Sequence, residues 1–181
     1  TPEHLKILAI CNVALTIPAR IIIGALIDKY GPRLTYSLLM IVMAIPALVF
    51  AFADSFVQLL ISRLILGSIG AGFVIGIRMV AQWFPPKLVG RAEGFYAGWG
   101  NFGSAGAAMT LPFISLTILS TWLNMGTEGG IRWGLAFSGI ICFLYGIAYF
   151  FLVRDLPGGQ KFSGLKKAGP MLVGSYKDLI Q

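Results

Sequence analysis

Charged side chains are scarce in this sequence. Only 12% of its 181 residues are Asp, Glu, Lys or Arg, and there is one histidine. A soluble domain usually carries about 25% charged residues. With 57% hydrophobic residues and a mean hydropathy of +0.83, the chain has too little polar surface to coat a soluble globule. The scarcity of charge therefore excludes an ordinary soluble domain and indicates a membrane protein.

Residues that ligate metals or act as nucleophiles are also few. The two cysteines, Cys11 and Cys142, lie in apolar stretches without metal-ligand spacing, and His4 lies near the start of the chain. We find no nucleophile–base pair, so we predict no catalytic residue, no metal, no cofactor and no enzyme activity. Residues 98–103 match the dinucleotide pattern G-x-G-x-x-G, but they lie in an apolar stretch without the acidic residue that such a site needs.

Long apolar runs, by contrast, fill most of the sequence. About 20 apolar residues cross a hydrocarbon core, and barrel strands are shorter and alternate apolar with polar residues. We therefore predict an all-α membrane protein, an antiparallel transmembrane helix bundle of five spans. The spans are Leu5–Ile27, Leu34–Ala53, Val57–Phe84, Gly94–Trp122 and Trp133–Val153. They form a predicted domain over residues 1–153, and residues 154–181, richer in Gly, Pro and Lys, are a predicted cytoplasmic linker.

Lysines and arginines are unevenly distributed between the two ends of this predicted bundle. One end has Lys29, Arg33, Lys87, Arg91, Arg154 and the lysines after it, and the other has Lys6 and Arg132. The positive-inside rule makes the first end cytoplasmic, together with Arg154–Gln181. Basic cytoplasmic loops account for the net charge of +7 without a nucleic-acid partner. Because Thr1 precedes an outer-side span with no initiator Met or signal peptide, we expect an earlier span to be missing.

Apart from Lys6 at the outer edge of the first, the charged side chains inside the predicted spans are Arg20, Arg63 and Arg78, all cationic. An arginine near the bilayer centre costs about 2.5–3.5 kcal/mol and needs a partner. No acidic residue stands at a matching depth in the sequence, so the partner is either an acid elsewhere in the protein or an anionic ligand. At 1.5 Å per residue, Arg20 lies about 12 Å and Arg78 about 10 Å from the cytoplasmic boundary. Arg78 is shallow enough to extend to that surface instead.

A polar residue on the fourth predicted span shares this layer. Asn101 is also about 12 Å deep and projects from a helix face of small residues that includes Gly94 and Gly98. Such a face leaves room for a ligand or for a closely packed neighbour. Asn101 therefore either contacts a ligand or forms a hydrogen bond to another helix.

Two prolines and an aromatic stripe are further features of these spans. Pro18 and Pro112 each remove a backbone hydrogen bond and favour a kink, which either lines a cavity or only bends the helix. Phe95, Trp99 and Phe102 form an aromatic stripe on the helix of Asn101, which favours a surface facing lipid or packing on protein.

The loop between the first two spans carries a resemblance to a known family. Residues 24–33, Gly-Ala-Leu-Ile-Asp-Lys-Tyr-Gly-Pro-Arg, resemble the cytoplasmic signature loop of the major facilitator superfamily. The resemblance implies a gating role for Gly24, Asp28, Gly31 and Arg33.

A second motif resembles the fourth-helix motif of the same superfamily and implies a structural role for Arg63 and Gly67. The superfamily has a twelve-helix fold, of which the five spans would be helices two to six. The partner implied is the missing C-terminal half of the same protein.

More narrowly, residues 92–103 resemble the nitrate signature of the nitrate/nitrite porter family, above all of its bacterial, cyanobacterial-type members. Residues 17–20, Ile-Pro-Ala-Arg, resemble the part of helix two that carries the family's substrate arginine. The resemblance implies transport of nitrate and/or nitrite by alternating access in the cell (inner or plasma) membrane. The anion would be held by a buried Arg20, with further contacts from Asn101, Gly98 and Gly100. Arg78 has no family counterpart, and its role as an anion ligand is a hypothesis.

Two alternatives stay open at this point. One is a major facilitator transporter of another small anion, such as a small carboxylate or phosphate. The other is a non-transporting membrane sensor or scaffold built on the same fold.

Overall fold

The computed structural model describes residues 6–8, 10–11 and 14–156, and these residues are helical almost throughout. The helices are α1 (Thr16–Tyr30), α2 (Pro32–Ala51), α3 (Phe56–Gly67), α4 (Gly72–Trp83), α5 (Pro86–Phe113) and α6 (Gly126–Leu152). A short 3₁₀ segment, Ser68–Ala71, joins α3 to α4, and a π-helical segment, Ile114–Trp122, continues α5. The predicted all-α class is confirmed.

Four helical stretches of the described residues are long and apolar enough to cross a membrane: Pro32–Ala51, Phe56–Trp83, Pro86–Trp122 and Gly126–Leu152. They correspond to the second to fifth predicted spans. The last two begin earlier than predicted, at Pro86 rather than Gly94 and at Gly126 rather than Trp133, because the helices continue beyond their apolar runs. The first predicted span includes residues outside the described ones, and α1 is its second part. Residues 157–181 of the predicted linker also lie outside them, so the division into bundle and linker stays a prediction.

Helices α2 and α6 are packed closely because α6 has glycines where the two backbones approach. A Cβ atom at Gly146 would lie 2.9 Å from Ile41 Cγ1 and 3.0 Å from Met40 Cβ. A Cβ atom at Gly139 would meet Ala47 Cβ at 3.3 Å. The Ser37 hydroxyl donates a hydrogen bond of 2.6 Å to the Gly146 carbonyl. Small residues are a usual means of bringing membrane helices together, because lipid supplies no hydrophobic force between them.

The buried apolar core lies between α1, α2 and α4. Its members are Ile23, Ile27, Leu39, Met43, Ala71 and Ile75. At the start of α1, the Thr16 hydroxyl donates a hydrogen bond of 2.9 Å to the carbonyl of Gly67. The Arg63 guanidinium lies 5.7 Å from the ring centroid of Phe50. Gly67 and Arg63 therefore make contacts between helices, and the structural role that the fourth-helix motif implies stays a prediction.

The π-helical segment follows directly after Pro112, one of the two prolines at which the sequence favours a kink. Proline cannot donate the usual backbone hydrogen bond, and its ring crowds the preceding turn. The chain changes from α- to π-helical hydrogen bonding at Ile114, two residues after Pro112. Wider turns of this kind are a known cause of helix deviation. No residue of α5 itself is buried, so α5 is the least covered helix of the described bundle.

Candidate functional site

Arg20 lies on the face of α1 that packs toward α3 and α4. At 100° per residue, Thr16, Arg20, Ile23 and Ile27 fall on one side of the helix. Ile23 and Ile27 are buried, whereas Arg20 is exposed. Among the described residues, Arg20 has no salt bridge and no hydrogen bond through its side chain. The described bundle alone therefore leaves Arg20 uncovered, because its neighbours cover this face only further along α1, and the burial of Arg20 stays a prediction for the whole protein.

Arg78 is paired with an acidic residue, contrary to the expectation that no carboxylate in the chain could reach the buried arginines. Its Nη2 atom donates a hydrogen bond of 3.1 Å to Asp28 Oδ1. The side chains are 36% and 68% exposed, respectively. The arginine extends along α4 toward the boundary where α1 ends, as long cationic side chains do. Arg78 as an anion ligand stays a prediction, and its guanidinium would have to leave Asp28 to reach an anion beside Arg20.

Asn101 and its glycine neighbours form an open face on α5. A Cβ atom added at Gly94, Gly98 or Gly100 would meet nothing within 4 Å. The backbone carbonyl of Asn101 accepts a hydrogen bond of 2.9 Å from the Ser104 hydroxyl, and its side chain is exposed. Helices α1 and α5 both pack on α4, and among the described residues no hydrogen bond joins Arg20 to Asn101, so their meeting at one anion stays a prediction.

The signature loop joins the ends of three helices at the end of the bundle that carries Lys29, Arg33, Lys87 and Arg154, called the basic end from here on. Gly31 has a φ of 88°, a backbone conformation that residues with a Cβ rarely adopt, and it allows α1 to turn sharply into α2. Gly24 has open space around it. Asp28 reaches α4 through Arg78, and Arg33 reaches α6. Asp28 and Arg33 thus both contact other helices of the described bundle.

Arg33 is attached to the last turn of α6 by its side chain and its backbone. The Nε atom donates a hydrogen bond of 2.6 Å to the Phe150 carbonyl, and the guanidinium lies 4.6 Å from the centroid of the Phe150 ring. The backbone N–H of Arg33 donates a hydrogen bond of 2.7 Å to Asp155 Oδ1. Because Gly31 has no side chain to cap α2, the carboxylate of Asp155 caps that helix from another part of the chain. Asp155 could not be recognised from the sequence as a cap, since no local spacing connects it to α2.

Replacing Asp155 with alanine should lower the stability of the protein by about 1 kcal/mol, as loss of a helix N-cap generally does. The carboxylate also faces the positive end of the α2 dipole, so both effects have the same sign. The measurement is the thermal unfolding midpoint of the full-length protein in detergent. Arg154→Ala is the matched control, because Arg154 is the exposed neighbour at the same helix end. Equal midpoints for the two variants would show that Asp155 is not a cap.

Metal chemistry has no evident centre in the described part of the chain. Those residues contain no group of three or more His, Cys, Asp or Glu side chains that could hold a metal ion.

At the end opposite the basic end, Arg132 Nη1 lies 2.9 Å from Asp54 Oδ1, and the two side chains are 43% and 78% exposed. This pair connects α6 to the turn between α2 and α3.

Comparison with known proteins identifies the family. The model of the Major Facilitator Superfamily matches residues 1–179. This chain belongs to the major facilitator superfamily. As a superfamily member with four apolar helices of membrane-crossing length, it is a membrane-spanning chain from a family of transporters, not enzymes.

Individual relatives show more narrowly which proteins this chain is similar to. The chain is 52% identical to a nitrate/nitrite transporter, NrtP, of Picosynechococcus sp., over 97% of this chain and 36% of that protein. It is 49% identical to NrtP of Nostoc punctiforme, over 97% of this chain and 35% of that protein. It is 31% identical to high affinity nitrate transporter 2.5 of Arabidopsis thaliana, over 88% of this chain and 31% of that protein. The chain spans about a third of the length of these relatives.

Proposed function

We propose that the protein containing this chain transports nitrate and nitrite across a cell membrane, and that Arg20 binds the anion. The observation that carries the proposal is an exposed guanidinium on α1 that has no acidic partner among the described residues. Similarity to proteins named as nitrate/nitrite transporters supports the choice of anion. The superfamily assignment supports transport rather than catalysis.

Arginine suits this anion for reasons of shape and charge. Nitrate is planar and carries one negative charge spread over three acceptor oxygens. The guanidinium group is also planar, keeps its charge at any physiological pH, and offers paired N–H donors at a fixed spacing. A cation within an apolar span is costly without a counter-charge. An anion bound at Arg20 supplies this counter-charge, so binding offsets the cost of placing the cation within the membrane.

The other proposed contacts come from the open face of α5. The Asn101 amide can donate to an oxygen of the anion, and the exposed backbone around Gly98 and Gly100 leaves space for close approach. In our proposal these groups meet Arg20 in the whole protein, where the C-terminal half completes the bundle. Alternating access of the two halves then exposes the anion to each side in turn.

The proposal also fixes an orientation. With the basic end in the cytoplasm, as the distribution of lysines and arginines predicts, the signature loop and the segment after Leu152 face the cell interior. The membrane is then the inner or plasma membrane. Within the described residues of the predicted spans, apart from Lys6 at the edge of the first, the charged side chains are Arg20, Arg63 and Arg78. A proton-coupling group, if the transport is a symport, would belong to the remainder of the protein.

Competition in proteoliposomes tests the function. The full-length protein is reconstituted and the uptake of isotopically labelled nitrate is measured in the presence of an excess of unlabelled nitrate, nitrite, phosphate, formate or acetate. We expect nitrate and nitrite to suppress labelled uptake, while the other three anions leave it close to the uncompeted rate. Suppression by phosphate or a carboxylate alone would favour a transporter of another anion. Absence of any uptake above protein-free liposomes would favour a sensor or scaffold.

A further inference from the structure

A groove between α4 and α5 opens at the basic end and runs toward the middle of the bundle. It has a volume of about 660 Å³ and is lined by Val80 of α4, by Phe84 directly after that helix, and by Leu88, Arg91, Phe95 and Trp99 of α5, among others. At its floor the two helices touch, because the ring of Tyr96 lies over Gly76, where any side chain would collide with the phenol. The groove belongs to the aromatic stripe of α5 rather than to the small face of Asn101.

The dimensions of the groove match one leaflet of a bilayer. Arg91 lies five residues after Pro86, which begins α5 at the basic end. Trp99 is eight residues further, or about 12 Å along the helix axis. Half of a hydrocarbon core is about 15 Å thick. The groove therefore extends from the level of the headgroups through most of one leaflet.

The lining has the chemistry of a lipid site. Phe95 is 73% and Trp99 66% exposed, and their side chains offer apolar walls to an extended hydrocarbon chain. At the mouth, Arg91 has no salt bridge among the described residues, and Lys87 is exposed one turn away. The nearest acidic residue in sequence, Glu93, lies on the opposite side of α5, because two residues turn the helix by 200°. The positive charge at the mouth is thus not neutralised by the helix that carries it.

The two faces of α5 favour different neighbours. The face around Gly98 is made of small residues, which suit a closely packed helix or a ligand. The face around Phe95 and Trp99 is bulky and concave against α4, which suits a flexible chain. Basic pockets between transmembrane helices on the cytoplasmic side bind anionic headgroups, because the phosphate pairs with the cation while the chain fills the groove.

We propose that this groove binds an anionic phospholipid, with one acyl chain along Phe95 and Trp99 and the headgroup phosphate paired with Arg91. The proposal does not depend on which anion the protein transports. It makes Trp99 a direct reporter, since its indole would contact the bound acyl chain.

Quenching by brominated lipids tests the proposal on the full-length protein. The protein is placed in nanodiscs of unbrominated lipid that contain a small fraction of dibrominated phosphatidylglycerol or of dibrominated phosphatidylcholine. The contribution of Trp99 is isolated by subtracting the fluorescence of the Trp99→Phe variant. One cation near an anionic headgroup contributes about a fivefold preference. We therefore expect half-maximal quenching of Trp99 at about a fivefold lower fraction of phosphatidylglycerol than of phosphatidylcholine.

Substitutions at the mouth assign the preference to one residue. Arg91→Gln should make the two lipids equal in quenching, Arg91→Lys should keep most of the preference, and Arg154→Gln should leave it unchanged as the matched control. Equal quenching by the two lipids in the unsubstituted protein would overturn the proposal. So would an absence of Trp99 quenching by either lipid, because protein would then cover the groove. Circular dichroism of each variant confirms that the helices are intact.

Discussion

Replacing Arg20 with lysine should lower nitrate uptake by roughly 10- to 100-fold while the protein still inserts into the membrane at normal yield. Lysine keeps the charge but loses the planar pair of donors, and a hydrogen bond between charged groups contributes about 1.5–3 kcal/mol. Arg20→Ala should lower uptake further, because it also removes the charge. The measurement is the initial rate of labelled nitrate uptake by the full-length protein in proteoliposomes, normalised to the amount of inserted protein.

The matched control for this substitution is Arg154→Lys, the same chemical change at an exposed arginine after the last helix. It should leave uptake at the unsubstituted rate. If Arg20→Lys transported as fast as Arg154→Lys, Arg20 would not be the anion ligand, whatever anion the protein carries. A loss of inserted protein in Arg20→Lys alone would assign this residue to folding instead.

Replacing Gly146 with valine should destabilise the bundle by about 2–3 kcal/mol, the upper part of the range for overpacked sites. The new side chain would begin 2.9 Å from Ile41 and 3.1 Å from the carbonyl of Ser37, so α2 and α6 would have to separate. Separation would also break the hydrogen bond from the Ser37 hydroxyl to the Gly146 carbonyl. The measurement is the fraction of full-length protein that stays monodisperse in size-exclusion chromatography over a series of heating temperatures.

Gly90→Val is the control for this second experiment. It introduces the same β-branched residue into a helix, but a Cβ atom at Gly90 would meet nothing within 4 Å. The difference between the two variants therefore measures the contact with α2 and not helix propensity. Equal heat sensitivity would show that the close approach of α2 and α6 does not contribute to stability.

The helical class and the positions of most spans could be predicted from the sequence because they follow from apolar content alone. A run of apolar residues long enough to cross the hydrocarbon core must satisfy its backbone internally, and only a helix does so locally. For the same reason, the fourth and fifth predicted spans begin later than the helices α5 and α6. Hydropathy marks where the apolar run begins, whereas the helix at Pro86 and at Gly126 continues through polar residues.

The partners of the arginines could not be predicted in this way. Asp28 and Arg78 are 50 residues apart in sequence and Arg33 and Asp155 are 122 apart. Depth along a helix gives the height of a Cα atom, but an arginine side chain can reach the next layer. Arg78 does so and meets Asp28 at the end of α1. Arg20 fits its predicted depth better, because no acidic residue of the described bundle pairs with its side chain.

Pro112 shows a different limit of sequence reasoning. The proline indicated a deviation in the helix, but not that the following nine residues would form a π-helical segment. That outcome depends on packing, since Ser115 in this segment is pressed against Gly134 of α6. Gly134 indicates this close contact only once its neighbour, Ser115, is known from the structure.

Helices α2 and α6 are joined at three heights. Asp155 and Arg33 connect them at the basic end, Ser37 and Gly146 lie between, and the Asp54–Arg132 pair ties the opposite end of α2 to α6. Contacts at three positions along their length favour movement of α2 and α6 as one unit. A rearrangement of the described bundle that leaves these contacts intact therefore moves the two helices together, whereas α5, which has no buried residue, is freer to move against them.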